Sequence, residues 1–216
     1  MPSGPGLLSE VAFGAFLQYS PRGRSEVSRK SREWRDAVKN DDPGAISRIV
    51  RVLSAQLRAT SLDAFLGPGV ALVPAPRSAP LRNRDALWPA RRICEELVEG
   101  GLGSEILEVV ARREAVPKSA YAPQGERPEP EDHLRSLLLV EKPLLRPPRV
   151  TVVDDFVTRG ATLLAVASLV QHAFAESEVR TFALVRTMGF IPEVEALVVP
   201  CTGRIWLSGG RLYREP

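Results

Sequence analysis

Two adjacent carboxylates, Asp154 and Asp155, end an apolar β-branched run in "VTVVDDFVTRGATLL", residues 150–164. Thr158, Arg159, Gly160, Ala161 and Thr162 follow at once. A loop that ends a strand and opens a helix aims several backbone N–H groups and the positive end of the helix dipole at one point, which suits a phosphate dianion. Thr158 and Thr162 add hydroxyl donors, and Gly160 lets the backbone turn tightly and approach a ligand closely. Arg159 either adds a charged donor or points to solvent. The two acids cannot hold the same phosphate, because like charges repel at that range. Their partners are of another kind: vicinal sugar hydroxyls, which donate hydrogen bonds, or a hard cation such as Mg²⁺ held nearby through oxygen ligands.

The elements that must position these groups alternate in type. "RVTVV" (149–153) reads as a buried strand, and Leu163, Val166, Ala167, Val170 and Phe174 then recur at helical spacing. Upstream, "VALVP" (70–74) is strand-like and runs into the proline-rich turn "APRSAP" (75–80). Leu87, Ala90, Cys94, Leu97 and Val98 mark a helix that stops at Gly100 and Gly101, and "EILEVV" (105–110) reads as a second strand. "VRTFALV" (179–185) and "EALVV" (195–199) supply two more strands, and "RIWLSGGRLYRE" (204–215) has a Gly-Gly turn between two strand-like arms. Residues 7–17 and 25–39 read as short helices, and Asp42-Pro43 caps a third whose Ile46, Ile49, Val50, Leu53 and Leu57 form an apolar stripe. Strands alternating with helices imply a mainly parallel sheet with right-handed crossovers, in which ligands bind at the carboxyl ends of strands. Asp154 and Asp155 fall at such an end.

Residues 112–148 hold seven prolines, many charges and the amphipathic piece "HLRSLLLV" (133–140). That is too long for a plain connector, so it is read as a lid, with a small subdomain as the alternative. Tyr121 and His133 lie within it and suit either packing or contact with an acceptor. His172 lies ten residues past Thr162, about 15 Å along a helix axis, and is read as solvated.

Composition narrows the alternatives. The 216 residues, 44% apolar and 25% charged, suit one main domain with attachments. No apolar run approaches the roughly 20 residues needed to cross a bilayer, and "MPSGPGLLSE" lacks the features of a secretory signal, so a cytoplasmic protein is expected. Two cysteines, Cys94 and Cys201, and two histidines are too few for a zinc site, and the thiols are read as reduced. There is no G-x-x-x-x-G-K-[ST] loop and no G-x-G-x-x-G fingerprint. Net charge is +3, and in segment 21–40 seven Lys/Arg face three acids, which suits a solvated helix face or an anionic partner such as nucleic acid.

The stretch "VTVVDDFVTRGAT" resembles the phosphoribosyl pyrophosphate (PRPP) signature of type I phosphoribosyltransferases: an apolar strand, two acids, then a Thr-x-Gly-x-Thr loop. The arrangement from about residue 61 to 200 is similar to that fold, and in detail it looks like the ComF-type branch, with "VPAPRSAP" (73–80) in place of a proline-containing pyrophosphate loop. The resemblance implies an α/β fold with a mainly parallel five-stranded sheet flanked by helices. To this are added an N-terminal helical extension (1–60), the lid or hood insertion (112–148) and a C-terminal hairpin (201–216) on the main domain (61–216).

It also implies roles for individual residues. Asp154 and Asp155 would bind the ribose hydroxyls, and any metal indirectly, through those hydroxyls or water. Thr158, Arg159, Gly160, Ala161 and Thr162 would cradle the 5′-phosphate, while Pro76, Arg77, Ser78, Arg82 and Arg84 would serve the pyrophosphate. The activity implied is Mg²⁺-dependent transfer of the phosphoribosyl group from PRPP to a small nitrogen acceptor, with Asp154, Asp155 and Arg77 as the catalytic set. A non-catalytic PRPP-binding regulator, or a nucleic-acid-associated protein using segment 21–40, is the alternative, and a homodimer is compatible with either.

Overall fold

The computed structural model describes residues 5–81, 86–117, 128–140, 146–189, 191 and 193–216. Its centre is a seven-stranded sheet in the order β3-β2-β6-β7-β1-β8-β9. The strands are β1 (Glu10–Tyr19), β2 (Ala71–Pro74), β3 (Glu105–Ile106), β6 (Arg149–Val157), β7 (Glu178–Thr187), β8 (Val198–Ser208) and β9 (Arg211–Glu215). The first five strands in the spatial order are mutually parallel, β8 runs antiparallel to β1, and β9 antiparallel to β8.

Three expectations change here. The strand read at 195–199 is only the start of β8, which runs on through the first arm of the hairpin read at 204–215. The stretch 7–17, read as a helix, contains most of β1, which lies between β7 and β8. Phe13, Ala15, Phe16 and Leu17 are all buried, so the strand is covered on both faces and shows no clean alternation that would betray it. The N-terminal segment therefore adds a strand to the sheet, and the five parallel strands are extended to seven by the antiparallel pair.

The stretch 105–110, read as one strand, divides. β3 pairs with β2 at the sheet edge, while β4 (Val110–Arg112) leaves the main sheet and pairs antiparallel with β5 (Leu137–Leu139). The amphipathic piece 133–140 is thus the end of helix α4 (Pro130–Ser136) followed by β5.

Helices α1 (Glu26–Lys39), α2 (Pro43–Gln56), α3 (Pro89–Glu99) and α5 (Ala161–Ala173) complete the fold. Asp42 Oδ1 accepts a hydrogen bond from the Ala45 N–H at 3.0 Å and Pro43 takes the first helical position, a cap worth about 1 kcal/mol. Ile46, Ile49 and Leu53 of α2 join Ile93, Cys94 and Leu97 of α3 in one core on one side of the sheet. On the other side Leu163, Leu164, Val166 and Val170 of α5 share a core with Val110 and Leu137 of the small sheet. Nearly every residue from Ala161 to Val170 is buried, because α5 lies under α4 as well as against the strands. Among the described residues no helix is long and apolar enough to cross a membrane.

Candidate functional site

The site forms where β2 and β6 end side by side. Pro74 is in register with Val153, so the turn that follows β2 emerges beside Asp154 and Asp155 on β6. The sheet thereby brings Pro76, Arg77 and Ser78 to the same edge as the acidic pair and the loop 158–162. Pro76 is buried and Arg77 and Ser78 are half-buried. Arg82, Arg84 and Tyr121 lie outside the described residues.

Gly160 is the hinge of the loop. Its φ of 95° is left-handed, and a Cβ there would lie 2.6 Å from Ile205 Cδ1, so both conformation and space require glycine. Gly160 stands at the N-cap of α5, where no side chain caps the helix and the first turn carries no acid. The first N–H groups of the helix are left for an external acceptor. Asp154 and the continuous stretch from Phe156 to Leu163 line a cavity of about 90 Å³ at this point. Thr158 Oγ1 lies 3.4 Å from Thr187 Oγ1 at the end of β7, and the Thr158 carbonyl accepts from Arg214 Nε at 2.9 Å. Arg159, left open between ligand and solvent by its sequence, instead pairs with Glu129 at the start of α4 (Nη2 to Oε2, 2.6 Å).

The two acids differ in their surroundings. Asp155 is buried and its Oδ2 accepts from Lys39 Nζ at 2.6 Å, while its Oδ1 accepts from the Phe156 N–H at 2.7 Å. Asp154 Oδ1 accepts from the Asp155 N–H at 2.8 Å. Burial raises the Asp154 carboxyl to about 8, the neighbouring Asp155 charge adds to the rise, and Lys39 opposes it. A carboxyl held so is set to gain donors: sugar hydroxyls or a cation would bring it back toward the ionised form.

Four cations near this edge were not singled out by the sequence. Lys39 ends a helix read as solvated, yet its ammonium also sits 4.8 Å from the Phe156 ring centroid. Arg112 is 5% exposed, and burial lowers its guanidinium to about 10. It donates from Nε to the Arg77 carbonyl at 2.6 Å, bonds Ser136 Oγ, and lies 3.4 Å from His133 Nδ1. His133 is buried with it, and burial followed by the Arg112 charge lowers its imidazole to about 4. Arg186, also 5% exposed, is in register with Val157 and has no carboxylate partner among the described residues. Arg214 completes the set through its bond to the Thr158 carbonyl of the loop 158–162. None of these four carries a local signal, since each reaches the edge from a distant part of the chain.

No protein-family model matches the chain, and no curated protein matches it. Similar solved structures include adenine phosphoribosyltransferase from Leishmania donovani, 13% identical over 85% of this chain and 84% of that one, with a TM-score of 0.38. Adenine phosphoribosyltransferase from Leishmania tarentolae is 16% identical over 80% and 83%, with a TM-score of 0.34. Likeness of that degree leaves the weight on the chain's own geometry.

Proposed function

We propose that the chain binds PRPP across the carboxyl ends of β2 and β6 and transfers its phosphoribosyl group to a small nitrogen acceptor, releasing pyrophosphate. The observation that carries this reading is the uncapped N-terminus of α5, opened by left-handed Gly160 directly after an acidic pair of which Asp155 is buried and Asp154 half-buried. A phosphate on the α5 N–H groups places its attached sugar toward Asp154 and Asp155, whose carboxylates accept from vicinal hydroxyls. The turn at 76–78 then receives the group on the far side of the sugar. Displacement at the anomeric carbon builds positive charge on the sugar and negative charge on the leaving group, so positioned carboxylates and donors suffice without a protein nucleophile.

Magnesium fits this set only in an indirect role. Among the described residues no three acids, histidines or cysteines cluster as metal ligands, and Asp155 Oδ2 is already taken by Lys39. Asp154, with Asp155, would hold the ion through water or ligand oxygens, and the ion would neutralise charge on pyrophosphate. A cytoplasmic location belongs to the same reading, and so does the regulator alternative, which keeps the pocket without turnover.

The test is a thermal-shift and calorimetric titration with PRPP and Mg²⁺, followed by pyrophosphate release with candidate nitrogen bases and amines. Saturable PRPP binding with acceptor-dependent release supports the transferase. Binding without release under any acceptor favours the regulator, and no binding of PRPP or ribose 5-phosphate overturns both.

A further inference from the structure

The turn after β2 is held in an unusual way: the Ala75 N–H still donates to the Val153 carbonyl at 2.8 Å, but from there on the protein engages the carbonyls and, among the described residues, leaves the Ser78 and Ala79 N–H groups without an acceptor. The Ala75 carbonyl accepts from Trp88 Nε1 at 2.8 Å, the Arg77 carbonyl from Arg112 Nε at 2.6 Å, and the Ser78 carbonyl from the Val116 N–H at 2.8 Å. A trans peptide is planar, with its C=O and N–H pointing in opposite directions. Drawing the Arg77 and Ser78 carbonyls toward the segment 112–116 therefore turns the Ser78 and Ala79 N–H groups the other way. Neither N–H has an acceptor among the described residues. Successive free N–H groups of this kind form an anion-receiving concavity.

Arg112 reaches the turn from outside the main sheet, as Trp88 does, and it holds the carbonyl at the turn's centre, that of Arg77. It belongs to β4 of the small sheet, and its guanidinium is spread over three partners, Arg77, His133 and Ser136. The donation from Arg112 Nη2 requires His133 Nδ1 to accept, which a neutral imidazole can do. A buried arginine fork with each of its three nitrogens bonded fixes geometry in a way that a lysine point charge does not.

We propose that Arg112 is a positioning residue for a diphosphate-binding turn at 77–79, acting through the Arg77 carbonyl and touching no ligand itself. This rests on the PRPP reading above, and it adds that the hood pair β4–β5 organises the half of the site that receives the leaving group.

The experiment measures the two halves of the ligand separately on the full chain, by calorimetry with inorganic pyrophosphate plus Mg²⁺ and with ribose 5-phosphate. Arg112→Lys keeps the charge and loses the fork. It should weaken pyrophosphate at least about tenfold while ribose 5-phosphate stays within about twofold of the parent. Val116→Pro removes the N–H that holds the Ser78 carbonyl without changing charge, and it should show the same selective loss. It also serves as the test should Arg112→Lys not fold. Equal weakening of both ligands would mean general loosening and would overturn the proposal, as would unchanged pyrophosphate binding in both variants. Failure of the parent protein to bind either ligand would instead refute the PRPP reading, and the proposal with it.

Discussion

Lys39 Nζ and Asp155 Oδ2 lie 2.6 Å apart although 116 positions separate them in the chain. The last residue of α1 thereby reaches the acidic pair at the end of β6. The same ammonium lies over Phe156, whose ring meets Tyr19 edge-on at 5.9 Å, and Arg35 lies 5.6 Å from the Tyr19 centroid. One face of α1 is thus tied to the site by alternating cations and rings.

Lys39→Met should leave stability within about 1 kcal/mol of the parent, because the lysine is about half exposed and water screens the pair. Ligand binding should respond more. Lys39 holds the Asp154 carboxyl down, so its loss raises that carboxyl further, and PRPP affinity at pH 7 should fall about tenfold per unit of rise. Lys39→Arg should restore it. Equal calorimetric affinities for all three proteins would show that Lys39 is a bystander.

Asp154 makes stability depend on pH with a definite sign. Its native carboxyl is raised, to about 8, so the folded state prefers the protonated form. The stability this contributes is complete below the ordinary carboxylate range near pH 3.9 and is lost as pH rises through the raised value. Asp154→Asn should accordingly stabilise the free protein by about 1–3 kcal/mol above pH 8 and by nothing below pH 4, while abolishing PRPP binding. Denaturant midpoints measured across pH 4–9 check this, and a gain independent of pH would contradict it.

Gly160→Ala meets two obstacles, the positive φ and the Ile205 side chain. The backbone strain alone costs about 1–3 kcal/mol. Adding Ile205→Val should recover part of the melting temperature by making room, but not ribose 5-phosphate binding, because the left-handed turn itself shapes the loop. Recovery of both would place the whole effect in the packing contact.

The pair between Arg159 and Glu129 joins the loop 158–162 to the N-cap of α4. With both side chains more than a third exposed, Arg159→Met should change global stability by less than about 1 kcal/mol. Amide exchange at 130–139 should nevertheless quicken while that of β6 and β7 holds, since the latch is local. Uniform exchange across the molecule would argue against a latch.

The strand, acidic pair and loop of β6 and α5 were legible because the whole device is contiguous: residue types, order and spacing occur within one stretch. The Asp42-Pro43 cap was legible for the same reason. β1 was not, since with Gly14 and Phe16 buried between Phe13, Ala15 and Leu17 the strand is covered on both faces and its alternation of period two is masked, leaving a short apolar run that periodicity alone does not separate from a helix. The division of 105–110 into β3 and β4 depends on which partner each half meets, and neither partner is local. Lys39 and Arg112 were missed on similar grounds: each reads as an ordinary surface cation until the fold buries its contacts.

The place of β1 bears on how the protein is made. β8 and β9 reach the sheet only through β1, which the ribosome delivers long before that hairpin. Until Val198 emerges one edge of β1 stays open, and until Ile205 emerges Gly160 lacks the wall behind it. Contacts between the two ends of a 216-residue chain are slow to close and leave a bare strand edge meanwhile. A nascent chain stalled before residue 198 should therefore engage chaperones and lack the wall behind the loop at 158–162.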